Sequence, residues 1–331
     1  MLGLPVFSYH ADLKEVQGAA LPAAAAPFDR LEWWQGLAAP CGLAPLLALA
    51  RDGDAVAVLP LAGSGDHLHG LSNYYSFRLR PLFCRGGEAL LPALARDLAA
   101  KARRITLSGV PDEDGSASLL ADAFRSAGWR VAMEPCDKNH ILEVQGRSFA
   151  EYLASRPGQL RTTLKRKAGK VEVSLHRAFD ETAWAAYEAI YQQSWKPSEG
   201  SPAFLRDFAQ AEGAGGRLRL AVASAEGQPI AAQLWTVEGG TAWIHKLAHT
   251  EDSKPLSPGT TLSAALFAEV IDRDKVALVD FGTGDDGYKR DWMEAVRLRY
   301  RLDMLRPKHP RNWPIIARAA LRHLAASPAH G

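Results

Sequence analysis

Residues 280–292 read DFGTGDDGYKRDW, with four aspartates, three glycines and three aromatics in one short stretch. Those residue types build either a solvated turn or the rim of a reaction site. Asp280 is the last alternating position of VALVDF, where an unpaired carboxylate is costly to bury. Gly282, Gly284 and Gly287 free the backbone for a tight turn. Asp285, Asp286, Tyr288 and Lys289 then project from the C-terminal end of the strand, where ligands gather in open sheets with helical crossovers. The acidity argues against a phosphate-binding glycine loop, because these carboxylates repel phosphate. The competing reading is a Gly/Asp turn into a helix whose positive end favours Asp285 and Asp286.

The second group lies in TAWIHKLAHTEDSKPLSPGTTLSAALF, residues 241–267. This reads as a strand, a polar loop and a helix opened by Ser257, Pro258 and Gly259. Proline suits the first helical position and Ser257 suits the cap. Backbone N–H groups of Gly259, Thr260 and Thr261, the helix dipole and nearby Lys254 would together seat a phosphate or pyrophosphate. A well-capped helix with no ligand is the other reading. Strand alternation puts Trp243, His245 and Leu247 on one face, with Ile244, Lys246 and Ala248 on the other. His245 is either a satisfied core residue or a general base, since imidazole titrates near working pH.

The elements that must hold these groups follow from periodicity. In the first half, a helix is expected at 28–38 and a hairpin at 43–50 and 55–62 across an Asp-Gly turn. A helix at 87–104, a strand at 105–110 and a helix at 116–129 follow. The second half repeats helix, hairpin, helix and strand. A strand at 140–144 and two short helices lead to a longer helix at 180–195. A meander at 217–224, 229–237 and 241–249 follows, then an amphipathic helix at 260–274, a buried strand at 276–282 and a last strand at 298–306.

Composition excludes several classes. The 331 residues suffice for two domains, and 47% hydrophobic with 23% charged residues is globular rather than disordered. A net charge of +2 advertises no nucleic acid. Cys41, Cys84 and Cys136 have no metal spacing and fit a reducing, cytoplasmic setting. No stretch reaches the ~20 apolar residues that span a bilayer. The helical 311–326 segment carries Trp313, Ile316, Ala320 and Leu324 opposite Arg311, Arg318 and Arg322. It either packs on the protein or lies on a membrane surface.

The order of meander, H-x-x-x-H strand, S-P-G helix and D-F-G-x-G-D-x-x-Y-K resembles the GNAT superfamily of acyltransferases. More narrowly it resembles the CelD-like, FemAB-related branch, which has two GNAT-like halves and includes bacterial ceramide synthases. DFGTGDDGYK is the sharpest match, and QLRTTLKRKAGK (159–170) and QQSWK (192–196) are also similar. The resemblance implies an α/β fold of tandem GNAT-like domains, with mixed, mostly antiparallel sheets flanked by helices. Its domains would be 1–135, a catalytic 136–308 and a basic amphipathic tail at 309–331.

The implied activity moves an acyl group from acyl-CoA to a primary amine, with no metal. The amine would be an amino sugar, an amino acid or a long-chain, sphingoid-type lipid. The resemblance places the coenzyme A pyrophosphate at Lys254 and Ser257–Thr261. His245 would be the base, Asp280 or Asp285 would orient the acceptor, Tyr288 would donate to the leaving thiolate, and Lys289 would pair with a carboxylate or phosphate. Trp195, Trp243 and Tyr74 are the aromatic candidates for acceptor binding.

The usual Q/R-x-x-G-x-G/A signature is absent, which leaves acyl carrier protein and tRNA open as donor carriers. The alternatives are a FemAB-like transferase dependent on aminoacyl-tRNA and a non-catalytic scaffold in envelope or polysaccharide assembly. No heptad pair long enough for a FemAB coiled-coil arm is present. The basic run Arg161, Lys165, Arg166, Lys167 and Lys170 reads as a solvated face, or as a contact for donor phosphates, tRNA or anionic lipid. No nucleic-acid partner is expected, and the localisation implied is cytoplasmic, with the membrane's inner face as the peripheral option.

Overall fold

A computed structural model describes residues 4–17 and 21–318. The chain divides into two compact units. Phe28–Asp137, the described residues before Ala25 and the strand from Leu298 form the first; Lys138–Arg297 with Ala25–Pro27 form the second.

The first unit holds β1 (Val6–His10), α1 (Leu31–Ala38), β2 (Pro45–Asp52), β3 (Ala55–Ala62), β4 (His67–Gly70), β5 (Leu82–Cys84), α2 (Leu91–Asp97), β6 (Arg104–Pro111) and α3 (Ser116–Ser126). Strands β1, β2 and β3 are antiparallel neighbours, and β5 adds to β3. The expected Asp-Gly hairpin pairs Asp52 with Ala55, with Gly53 in the left-handed region (φ +57°). Strand β4 runs parallel to β6. Leu59, Leu61, Leu94, Leu120 and Phe124 form the centre of this unit's core.

Strand β7 (Arg130–Glu143) carries the chain from the first unit into the second. The second unit continues with α4 (Phe149–Ala154), α5 (Gly158–Lys167), β8 (Glu172–His176), α6 (Glu181–Gln192), α7 (Pro202–Ala214), β9 (Leu218–Ala225), β10 (Gln228–Glu238), β11 (Thr241–His249), α8 (Pro258–Ala268), β12 (Leu278–Thr283) and α9 (Gly287–Trp292). Strands β8 to β11 pair antiparallel in chain order. β11 then pairs parallel with β12, and β12 antiparallel with β7. The sheets are mixed and mostly antiparallel, as expected.

Helix α8 buries Leu262, Leu266 and Phe267, with Val270 and Ile271 of the following π turn, as its apolar spacing requires. Phe267 stacks on Trp292 at 4.8 Å and on Tyr152 at 5.2 Å, and the Tyr152 hydroxyl donates to Trp292 O at 2.6 Å. This aromatic stack fixes α9, and with it Tyr288 one turn earlier.

The final strand departs from the sequence expectation. β13 (Ala295–Leu305) pairs Arg299–Leu305 with Arg104–Pro111 of β6, and Leu302 and Met304 are fully buried in the first unit's core. The second unit therefore closes at Arg297 rather than at 308. Alternation reveals that a strand is buried, but the sheet that takes it depends on hydrogen-bond partners remote in sequence. Helix α7 and strand β8, like β1, β4 and β5, are elements that the periodicity does not predict. In the tail, 319–331 lie outside the described residues, and with them part of the 311–326 segment. Trp313 is exposed, its indole N–H donating to Pro307 O at 2.9 Å. No helix among the described residues is long and apolar enough to cross a membrane.

Candidate active site

The parallel ladder between β11 and β12 is short. Thr241, Ala242 and Trp243 pair with Leu278, Val279 and Asp280, and there the pairing ends. β11 continues six residues further, to His249. Two parallel strands that part in this way leave extended backbone available to a ligand along the split.

At the start of the split β11 also carries a bulge. Trp235 of β10 faces Ile244 while the neighbouring Leu234 faces Lys246, so His245 is the extra residue. The bulge breaks the alternation that the sequence suggested. His245 packs edge-on against Phe208 of α7 at 5.0 Å and its Nε2 lies 2.8 Å from Thr236 Oγ1. Lys246 pairs with Glu199 at 2.8 Å and lies over the Tyr191 ring of α6. Both therefore meet the α6–α7 side. Leu247 and His249 line a different cleft.

That cleft, of about 310 Å³, gathers Trp195, Lys254, Ser257, Gly259, Thr260 and Tyr288. Pro258, Leu160, Ser263, Asp291 and Trp292 complete its wall. Buried Gln233 on β10 anchors the helix start, donating from Nε2 to Gly259 O at 3.0 Å and to Ser263 Oγ at 2.9 Å while accepting from the Trp235 indole at 2.9 Å. Ser257 opens α8 in the left-handed region (φ +51°), an unusual conformation for a residue with a Cβ. It makes no side-chain cap, contrary to the sequence expectation. Its hydroxyl instead accepts from Lys167 Nζ at 3.0 Å. The N–H groups of Thr260 and Thr261 fold back on Ser257 O, at 3.1 and 3.4 Å. Positive potential at this helix start thus comes from Lys167 and the helix dipole more than from three open N–H groups.

His249 packs tilted against Trp195, with ring centroids 4.4 Å apart. Its Nδ1 is 2.9 Å from Thr250 O, which only accepts, so Nδ1 carries the proton in the neutral ring. Tyr288 is 42% exposed and packs edge-on to Phe281. Desolvation and the neighbouring Asp286 push its hydroxyl up to about 12, which keeps it a proton donor at neutral pH.

The turn after β12 uses Gly282 (φ +66°) and Gly284 (φ +97°) in conformations that favour glycine. Asp280 is 2% exposed and accepts from Asn139 Nδ2 and from Gly282 N, each at 2.8 Å. Asp285 accepts from Lys138 at 2.7 Å and Arg290 at 2.8 Å, with buried His140 at 3.3 Å. Hydrogen bonds from Arg290 and Lys138 hold its carboxyl far below the usual range. Lys289 is buried, donates to Thr283 O and lies over the Phe281 ring. These three residues brace the turn.

A second cavity, of about 430 Å³, lies along α6 and is lined by Trp184, Tyr187, Glu188, Tyr191, Lys196 and Glu199 among others. Trp195 and Lys196, adjacent in the chain, line different cavities. Neither cavity includes His245, Asp280, Asp285, Lys289, Thr261 or buried Trp243 in its wall. Tyr74 belongs to the first unit, where it is 68% exposed beside Tyr75. The sequence signals Lys167 only as part of the basic run and His249 only within the H-x-x-x-H strand; Gln233 and the α6 aromatics carry no such signal, although QQSWK points at the segment that divides the cavities. Among the described residues no group of three or more His, Cys, Asp or Glu is placed to hold a metal ion.

Residues 158–290 match the model of the acetyltransferase (GNAT) domain, a span running from α5 into α9. The fold is similar to that of FemX (12% identity, 93% of this chain and 99% of that one, TM-score 0.61). It is also similar to the C-terminal domain of a candidate lysylphosphatidylglycerol synthetase from Agrobacterium fabrum (12% identity, 94% and 96% covered, TM-score 0.57). A tandem GNAT protein from the clavulanic acid biosynthesis pathway is a further match (14% identity, 90% and 98% covered, TM-score 0.50). No curated protein matches in sequence. Residues 158–290 thus match a GNAT acetyltransferase domain, and the fold around them is similar to those of FemX and the tandem GNAT protein.

Proposed function

We propose that the second unit transfers an acyl group from a thioester donor of the coenzyme A type to a primary amine. The observation that carries this reading is the cleft joining the start of α8 to Tyr288 beside the split of β11 and β12. Lys167, Lys254 and the positive end of α8 suit the donor's phosphates, and Gly259 leaves room for close approach. The edge of β11 beyond its ladder with β12 suits the amides of an extended pantetheine arm. His245, at the bulge, takes a proton from the acceptor's ammonium. The amine nitrogen then bonds to the acyl carbon, the carbon–sulfur bond breaks, the thiolate takes a proton from Tyr288, and the second proton released from the nitrogen passes through solvent to restore the Tyr288 hydroxyl. Asp285 is too acidic to serve as the base at neutral pH.

An aminoacyl-tRNA donor is the second reading. It is favoured by the exposed Arg161, Lys165, Arg166 and Lys170 on and just after α5, beside Lys167. Purified protein supplied with acyl-CoAs of graded chain length and a panel of amines should release free thiol. Absence of both turnover and coenzyme A binding would overturn the proposal, and activity only with aminoacyl-tRNA would install the second reading.

A further inference from the structure

The cavity along α6 has a composition that discriminates among amines. Trp184, Tyr187, Glu188 and Tyr191 recur at the spacing of one helix face. Their rings follow one another at 4.8 Å (Trp184–Tyr187) and 6.0 Å (Tyr187–Tyr191), forming a continuous aromatic wall. The Trp184 indole N–H donates to Glu188 Oε1 at 2.8 Å, which fixes the first ring. Carboxylates border the wall, from Glu188 on the helix and Glu199 on the loop. Glu199 is tied to Lys246, the residue that follows the bulge, so the cavity adjoins the site of transfer.

From this arrangement we infer that the acyl acceptor is an amino sugar, a primary amine on a hydroxylated six-membered ring, bound in the α6 cavity. The inference rests on the N-acyltransferase reading and names its acceptor. The carbon–hydrogen face of a pyranose packs flat on aromatic rings, while its hydroxyl edge offers donors to carboxylates. An ammonium on that ring is attracted both to the ring faces and to Glu188 and Glu199. The volume of about 430 Å³ suits a small polar ligand. A long alkyl chain fits poorly, because it would desolvate Glu188 and Glu199 and return no hydrogen bond.

One further feature agrees, and one opposing charge lines the same cavity. Tyr187 is almost fully buried, and its hydroxyl has no hydrogen-bond partner among the described residues, so this wall retains unused hydrogen-bonding capacity. Burial and the nearby Glu199 hold that hydroxyl in its neutral form. Burial, then the charge on Lys246, pulls the Lys196 ammonium down to about 8, so it is still charged at pH 7 and the carboxylates Glu188 and Glu199 must offset its repulsion of an incoming ammonium.

The test is direct binding of D-glucosamine to the full chain, followed by calorimetry without any donor present, beside D-glucose and dodecylamine. Glucosamine should bind, and glucose should bind about tenfold more weakly for want of the amine. Dodecylamine should not compete. Tyr187→Phe and Glu188→Gln should each weaken glucosamine about three- to tenfold, the range of a single hydrogen bond. Tyr187→Phe should keep or raise the melting temperature, since it removes an unpaired buried hydroxyl; that separates lost recognition from lost folding. No glucosamine binding, displacement of glucosamine by dodecylamine, or unchanged affinity in both variants would overturn the inference. If glucosamine binds while coenzyme A does not, the donor assignment fails and the cavity assignment stands.

Discussion

The Lys167 ammonium donates to the Ser257 hydroxyl at 3.0 Å, joining the end of the basic helix to the residue that opens α8. The two residues stand 90 positions apart in sequence. Their contact places a positive charge where the helix dipole is already positive, and where Ser257 adopts a left-handed backbone. A helix start with two superposed positive potentials is poised for an anion. With Lys254, that contact sets the positive potential of the cleft at the start of α8.

Lys167→Ala is accordingly expected to raise KM for acyl-CoA about tenfold, the loss of one charge-assisted contact, with kcat changed less than about twofold. The effect should shrink at high salt, because the lost attraction is electrostatic and partly screened. Steady-state thiol release at low and high ionic strength measures both. An unchanged KM would remove Lys167 from donor binding.

The two histidines of β11 are expected to separate kinetically. His245 sits at the bulge against Thr236, whereas His249 lines the cleft at the start of α8 against Trp195. His245→Ala should lower kcat about a hundredfold or more and leave KM for the donor nearly unchanged. His249→Ala should raise KM for the donor severalfold and preserve most of kcat. The opposite pattern would move the base to His249, whose neutral ring keeps Nε2 as an acceptor.

Much of this site was legible as elements and little of it as contacts. The Ser-Pro-Gly helix start, the meander and the Gly/Asp turn each follow from local residue preferences, and all are present. The bulge at His245 is different. It arises because β10 and β11 differ by one residue in register, which the alternation within β11 cannot reveal. For the same reason Lys246 joins His245 on the α6–α7 side, contrary to strict alternation. The aromatic face of α6 was visible as helical spacing, but apolar spacing reads alike for a packed core and a cavity wall. Asp280 looked catalytic because a buried carboxylate is unusual, and its partner Asn139 lies 141 positions away.

That partner turns Asp280 into a test of structure against catalysis. Asp280→Asn keeps an oxygen to accept from Asn139 and Gly282, so it should fold and retain activity within a few-fold. Asp280→Ala leaves both donors buried and unsatisfied, and should cost about 2–4 kcal/mol of stability. Urea unfolding of the two variants, with activity at matched folded fractions, separates the roles. A folded Asp280→Asn protein with activity reduced a hundredfold would return Asp280 to the chemistry.

Lys196 makes the stability of the second unit depend on pH in alkaline solution. Burial, followed by the charge of Lys246, lowers its ammonium to about 8 in the folded chain from 10.5 when free. Between those values the unfolded chain binds more protons than the folded one, so stability should rise as pH rises from about 8 to about 10.5. Below about 8 both states are protonated, and the penalty of the confined charge is present in full. Lys196→Met removes that charge and should therefore raise stability at pH 7 by about 1–2 kcal/mol, an amount discounted for partial exposure. The gain should disappear near pH 10.5. Denaturant midpoints of the two proteins across this range provide the measurement. A Lys196→Met protein less stable at pH 7 would mean that the ammonium gains more from Glu199 and Asp286 than it loses by desolvation.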